Sequence, residues 1–458
     1  MADLLNATVT EQIERAIDEI YLSDRPVGVS VGIVHGDELV WSKGFGYADL
    51  DTHRPADDRT MFKVGSITKT FTAAAIFRLR DAGKLSIDDR VIDHIEEFGA
   101  VRPLKGKPES ITLRHLLCHH SGLSGEAAGK HWETLDFPTT ETILSTMSQV
   151  GILIEPETTR KYSSLGFALL GEIVTRRSGR PYEEYVTEEI LKPLGMESST
   201  FGPSNTQRGQ VAIGYGSRQD EDRPELAPNY KDNGGAPAGG LYSTVPDLAK
   251  WLSFQLNSGE ASAVLGPGTL REMQRPQYLT TDWSSADCLP WTATRQENRV
   301  YLSHGGSTHG FMSNVSFSVE RRLGLIVLAN SHGHGAVFQI ARQVMDIVAD
   351  IKPQTVAARK PSVPSATPVE WESFLGTYEG IMSTIVGIRY RDGSLQLESG
   401  GYLGAQVNLD PTDDRDVFVL SAGRMEGEEL CFKRSADGQV TGLNMGGLPA
   451  DKLVHAGE

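Results

Sequence analysis

The chain has 458 residues, more than one ordinary domain, with 39% apolar and 23% charged residues, enough to bury a large core. Lys and Arg number 44 against 60 Asp and Glu, for a formal net charge of −16, and no clustered basic stretch exists to meet phosphates, which excludes nucleic acid as a partner. The acidic first residues lack a basic-then-apolar leader, the longest apolar run (Leu323–Ala329) is too short for a bilayer, and Cys118, Cys288 and Cys431 are too few and too scattered for a disulfide framework or metal cluster, so the sequence predicts a soluble, cytoplasmic protein with no membrane contact.

In chain order, Ile13, Ile17 and Ile20 fall on one stripe of a helix predicted over Thr8–Tyr21. Val27–Val34 and Glu38–Tyr47 read as two strands joined at Gly36-Asp37. A helix is expected from Ser66 to about Asp81, ended by Gly83, and another over Gly166–Arg177. The stretch to about Gly259 is mostly helical with long loops, including the Gly- and Pro-rich Asp232–Gly240. Strands return at Val300–Ser303, Met312–Val319 and Leu323–Ala329, and a helix over Val337–Ala349 follows. Strands from both ends of a long stretch, with a helical insert between them, imply an α+β unit: an antiparallel sheet flanked by helices.

Lys352–Glu370 carries Pro353, Pro361, Pro364 and Pro368 among Ser, Thr and Ala, which is linker composition, and few contacts should cross it. Beyond it, Asp392-Gly393 and Asp437-Gly438 separate short alternating runs, the mark of hairpins. The expected layout is a catalytic domain over residues 1–351, a linker over 352–370, and a small all-β domain, sheet or barrel, over 371–458.

Ser66-Ile67-Thr68-Lys69 is the chain's S-x-x-K, and residues three apart on a helix share a face, so Lys69 can reach the Ser66 hydroxyl. A serine hydroxyl is a weak nucleophile until a neighbouring base takes its proton, and a lysine serves once burial or nearby positive charge lowers its pKa. A helix N-terminus also turns backbone N–H groups toward a developing oxyanion. Alone, such a short pattern is more often a serine cap followed by a solvated lysine. Tyr162-Ser163-Ser164 ahead of a helix, and His304-Gly305-Gly306 at the end of a predicted strand, supply the further polar groups that such chemistry needs.

These three segments, in this order, resemble the serine β-lactamase and penicillin-binding protein superfamily, in its class C, D-aminopeptidase and esterase branch, where the second motif is Y-x-N and the third K-T-G or H-x-G. Leu116–Leu123, Gly239–Thr244 and Asn314–Asn330 fit the same text, and the resemblance spans about Ile20–Ala349. It implies that Ser66 attacks a carbonyl, that Lys69 and Tyr162 move the protons, and that the N–H groups of Ser66 and Ser307 form the oxyanion hole. It further implies that Ser164, His304 and Gly306 border the substrate, and that no cofactor is needed. Phe374–Gly380 resembles the start of the lipocalin-like barrel that some members append.

Two departures bear on substrate. Ser164 replaces the usual Asn and offers one donor where the amide has two. His304 replaces a permanent lysine cation with a group that titrates near neutrality. Both point away from an efficient β-lactamase and toward a hydrolase of amides or esters, acting on a small molecule or peptide. An acyltransferase or peptide cyclase, and a ligand sensor that acylates and stalls, are the alternatives. Assembly into a homo-oligomer is left open. Thr244-x-x-Asp247 reads as a helix cap, His119-His120-Ser121 as a structural corner, His332-Gly333-His334 as a polar loop, and Cys118 as a core residue.

Overall fold

The computed structural model describes residues 5–216, 224–257, 262–296, 299–349, 368–380, 385–391, 393–399, 407–421 and 425–453, so residues 352–367 of the expected linker lie outside the described residues. Strands β1 (Gly28–His35) and β2 (Glu38–Asp49) form the expected hairpin, with Gly36 at φ +62° in its turn. β3 (Arg54–Pro55) continues this edge, and β4 (Phe62–Lys63) pairs with β5 (Tyr242–Ser243) in a separate two-stranded ladder. After the helical insert come β6 (Tyr278–Leu279), β7 (Ser285–Asp287), β8 (Thr292–Gln296), β9 (Arg299–Thr308), β10 (Phe311–Ser318) and β11 (Leu323–Ala329). The large sheet is antiparallel throughout, in the order β3-β2-β1-β11-β10-β9-β8-β7-β6, so strands from before and after the insert meet where β1 pairs with β11. The fold is α+β, as expected.

Side chains alternate across β1, so Val29, Val31 and Ile33 face one layer while Ser30 and Gly32 face the other. The first layer is the helix Ala7–Asp24, whose Ile13, Ile17 and Ile20 are buried, together with the helix Ala336–Val348. The second layer holds the insert. There Gly32 is needed because a Cβ would lie 2.3 Å from a Val245 methyl. β10 and β11 are buried on both faces, which is why they read as unbroken apolar runs. The helix Thr68–Asp81 is fixed in this second layer by Phe71, whose ring stacks on fully buried Trp251 at 4.1 Å, a contact whose loss to alanine costs about 3–5 kcal/mol.

Two expectations shift. The motif His304-Gly305-Gly306 lies inside β9, because the β9–β10 ladder continues to Thr308↔Phe311 and turns only at Gly310, φ +77°. The sheet also runs three strands further than the sequence indicates, through β6–β8.

The C-terminal residues form a closed eight-stranded barrel: β12 (Gly376–Gly380), β13 (Ile385–Arg391), β14 (Ser394–Ser399), β15 (Val407–Pro411), β16 (Val417–Leu420), β17 (Glu429–Arg434), β18 (Val440–Met445) and β19 (Leu448–Lys452). Closure comes from β12 pairing with β19, Tyr378 opposite Lys452. Phe374, Phe418 and Phe432 fill one end, with Phe374 stacked on Phe432 at 4.2 Å. Gly393 and Gly438, at φ +84° and +86°, turn the two hairpins marked in the sequence.

Few contacts are expected between the two units, and those present include a buried ion pair. Lys161, fully buried, pairs with Glu428 of the β16–β17 connection at 2.7 Å, and the Gly125 amide donates to the same carboxylate at 3.0 Å. Glu133 receives Lys433 at 3.5 Å and Asn444 at 3.3 Å.

Candidate active site

Ser66 sits in a 3₁₀ turn, Gly65–Ile67, that runs directly into the helix Thr68–Asp81, so the predicted helix start is a tighter turn. Gly65 adopts φ +52°, which a side chain resists, and Thr68 clamps the turn by donating to the Gly65 carbonyl at 2.7 Å. Lys69 follows one turn later on the same face. Its Nζ donates to Ser66 Oγ at 3.1 Å and to the Ala238 carbonyl at 2.7 Å, and the whole side chain is buried.

Tyr162 comes from the facing loop. His119, at φ +63°, forms the corner beneath it: the His119 ring stacks on the Tyr162 ring at 4.1 Å, its Nδ1 accepts from the Ser163 amide at 3.1 Å, and its carbonyl accepts from Lys161 N at 2.8 Å. The Lys69 ammonium lies 5.0 Å and the Arg160 guanidinium 5.3 Å from the centre of the tyrosine ring. Ser163 caps the helix Ser164–Ser178 by accepting from Gly166 N at 2.9 Å. Ser164 is anchored through its amide to the Gly125 carbonyl at 2.7 Å.

β9 lies along the other side of the Ser66 turn. A Cβ on Gly306 would fall 2.1 Å from the Val64 carbonyl oxygen, and one on Gly65 would fall 2.9 Å from Ser307 N. Two glycines therefore let the strand and the turn approach closely enough to bring the Ser307 amide beside Ser66. Gly306 acts through this approach, and neither it nor His304 is among the residues lining the cavity over Ser66, whereas Ser307 and Thr308 are. The His304 ring is buried, with Nδ1 2.8 Å from the Gly305 carbonyl.

The cavity over Ser66 opens to solvent at its mouth. Ser66, Lys69, Tyr162, Ser164 and Ser307 all border it, so the structure gathers these predicted positions. Several bordering groups escape the sequence reading. Trp132, Phe137 and Tyr230 make an aromatic wall, with Phe137 stacked on Tyr230 at 4.6 Å. Asp232 pairs with buried Lys63 at 2.7 Å, and Met425 and Leu448 reach in from the barrel. Glu126 also borders the cavity: burial raises its carboxyl, but the His131 hydrogen bond and charge, the Lys69 charge and the Ser164 hydrogen bond outweigh this and hold it below the ordinary carboxylate value.

The remaining candidates are occupied elsewhere. Thr244 caps the helix Val245–Leu256 by accepting from Asp247 N at 3.4 Å. His120 binds Asp287 at 2.9 Å, His332 accepts from Gly310 N at 2.7 Å, and His334 lies 3.0 Å from Ser331 Oγ. Burial pushes the Cys118 thiol up to about 12, which suits a core residue. Among the described residues, no helix is long and apolar enough to cross a membrane.

An S-x-x-K pair at the start of a helix, faced by a tyrosine loop and flanked by a strand of a helix-covered antiparallel sheet, is the arrangement of serine-active penicillin-recognising folds. The Beta-lactamase family model matches residues 10–350, and the chain belongs to that family. Among curated proteins it is 32% identical over 318 residues to Beta-lactamase-like protein 4 of Dictyostelium discoideum, covering 64% of this chain and 54% of that protein. It is 28% identical over 327 residues to Protein flp of Staphylococcus aureus strain MW2, covering 70% of this chain and 63% of the relative. The chain thus spans between about half and two thirds of the length of these relatives. The octameric penicillin-binding protein homologue from Pyrococcus abyssi superposes with a TM-score of 0.66 at 23% identity, covering 97% of this chain and all of that one. A class C beta lactamase from Rhodobacter sphaeroides gives 0.61 at 22% identity over 74% of this chain and 98% of its own, so these two share the fold.

Proposed function

We propose that the chain is a serine hydrolase that cleaves amides or esters through an acyl-enzyme on Ser66, with little or no β-lactamase activity. The observation that carries this reading is Lys69 Nζ, 3.1 Å from Ser66 Oγ inside a buried pocket and oriented by the Ala238 carbonyl. Ser66 Oγ forms a bond to the substrate carbonyl carbon while its proton passes to the Lys69–Tyr162 pair. The carbonyl π electrons move onto oxygen, where the amides of Ser66 and Ser307 receive them. Collapse of the intermediate restores the carbonyl, breaks the C–N or C–O bond, and returns the proton to the leaving group. Water then repeats the sequence and frees Ser66.

The reading disfavours β-lactams because a carboxylate would find no arginine among the described residues that border the cavity, and Lys69 there is engaged with Ser66 and the Ala238 carbonyl. The units act together: the cavity takes Met425 and Leu448 from the barrel, which supports a barrel role in shaping substrate range. The test is labelling with a fluorophosphonate probe and turnover of p-nitrophenyl esters. Ser66→Ala is expected to abolish labelling and lower turnover by several orders of magnitude, and a variant retaining more than about a tenth of wild-type activity would refute the assignment.

A further inference from the structure

The Ser307 amide of the proposed oxyanion hole lies on a stretch of β9 that is paired on one side only. Pairing with β8 ends at Thr292↔Ser303, while the ladder to β10 runs on to Thr308↔Phe311. Along that stretch the edge away from β10 meets the Ser66 turn, where a Cβ on Gly65 would fall 2.9 Å from Ser307 N. A strand end held from one side shifts readily, yet an oxyanion donor must be closely fixed to act in the transition state.

The next residue supplies a fixed point. Thr308 lies on the same face of β9 as Gly306, toward the insert, and its Oγ1 shares a hydrogen bond with the Tyr230 hydroxyl. The Tyr230 ring is itself clamped. Phe137 stacks on it at 4.6 Å and the Lys63 ammonium lies 4.0 Å from its centre; groups this near the centre of one ring occupy its opposite faces. Both clamping groups are anchored in turn. Lys63 is buried, pairs with Asp232 at 2.7 Å, and belongs to β4, which leads through Val64 into the Ser66 turn. The carbonyls of Phe137 and Pro138 accept from Asn233 Nδ2 at 2.7 Å and from Gly234 N at 3.0 Å. Tyr230 therefore ties the strand that carries Ser307 to the strand that delivers Ser66.

We infer that Tyr230 is a positioning residue for the oxyanion hole: through Thr308 it fixes where the Ser307 amide stands relative to Ser66. It carries no proton and forms no bond to the substrate. The inference deepens the hydrolase reading and rests on it. An interaction felt only when negative charge develops on the carbonyl oxygen lowers kcat on removal and leaves KM in place.

The experiment uses the full chain, p-nitrophenyl butyrate as substrate and phenyl trifluoromethyl ketone as inhibitor. Ser66 Oγ adds to the ketone carbon, the carbonyl π pair moves to oxygen, the proton passes to the Lys69–Tyr162 pair, and nothing leaves. The adduct thus places an oxyanion before the same two amides. Tyr230→Phe and Thr308→Val, which keep side-chain shape, are each expected to lower kcat about tenfold or more, with KM within about threefold of wild type, and to weaken ketone binding by the same factor as kcat. The double variant should be no worse than the poorer single, because both remove one hydrogen bond. Thr308→Ser, which keeps the hydroxyl, should retain wild-type kcat. A Tyr230→Phe kcat within threefold of wild type overturns the inference. A loss confined to KM does so too, and makes Tyr230 a substrate contact; so do single losses that multiply in the double variant. If Thr308→Val does not fold, Tyr230→Phe decides alone: parallel losses in kcat and ketone affinity support the inference, and any other pattern overturns it. Wild type that hydrolyses the ester and labels with fluorophosphonate upholds the hydrolase reading whichever way the variants fall, and wild type that does neither overturns both.

Discussion

Glu428 lies on the barrel, yet the tyrosine loop depends on it. Its carboxylate holds the fully buried Lys161 ammonium at 2.7 Å and accepts from Gly125 N at 3.0 Å. Those two residues flank the Tyr162–Ser164 motif, since Lys161 precedes Tyr162 and the Gly125 carbonyl accepts from Ser164 N and Leu165 N. Glu428→Ala leaves an ammonium without its counter-ion in a site closed to water. Breaking a buried pair from one side costs about 3–5 kcal/mol, a large share of the roughly 5–15 kcal/mol that holds a typical native protein together. Lys161 would relax toward solvent and carry Tyr162 with it, and a shift of about 1 Å in a catalytic group lowers rates about 100-fold. Urea unfolding and ester kcat/KM on the full chain measure both effects. Lys161→Met combined with Glu428→Leu should recover most of the stability, because it removes both charges. If Glu428→Ala loses less than about 1 kcal/mol and keeps wild-type kcat/KM, the barrel does not hold the tyrosine loop, and the argument fails.

Gly306→Ala should lower kcat/KM by about 100-fold with labelling slowed in parallel, since its Cβ would strike the Val64 carbonyl and push the Ser307 amide away from Ser66; near-wild-type kinetics would show that the close approach is dispensable. Cys118 and Cys288, whose thiols burial pushes up to about 12, should resist iodoacetamide at pH 8 in the native protein and react after denaturation, because the thiolate is the reactive form and is scarce far below the pKa. Rapid native alkylation of either would contradict their burial. Nitrocefin should be turned over at least tenfold less efficiently than a neutral p-nitrophenyl ester. Wild-type efficiencies within tenfold of each other would make the protein a genuine β-lactamase.

The proximity of Ser66 and Lys69 is legible in the sequence because a three-residue helical spacing fixes it locally. The central strands are legible because β10 and β11 are buried on both faces and so carry apolar runs. β6–β8 are not, since strands such as Thr292–Gln296 are short, partly exposed and polar, with little alternation to mark them. Glu126 and Asp232 sit in loops without periodicity, and only tertiary folding turns them toward Ser66. Their sole sequence signal is position, Glu126 three residues past Leu116–Leu123 and Asp232 at the head of the glycine-rich segment. The Lys161–Glu428 pair joins residues far apart in the chain, beyond any local pattern, and so the domain boundary looks more independent in the sequence than it is.

The pairing of β1 with β11 has a consequence for synthesis. The ribosome delivers β1, β2 and the Ser66 turn early, but β1 finds its second neighbour only after the chain has passed Ala329, and Ser66 meets the Ser307 amide only once β9 has emerged. Until then the apolar β1 edge is unpaired and open to intermolecular strand addition, the hazard expected of sheets built from distant segments. The proposed site is therefore incomplete for most of translation, and slow elongation between β2 and β9 should lower the yield of folded protein more than slow elongation within the barrel.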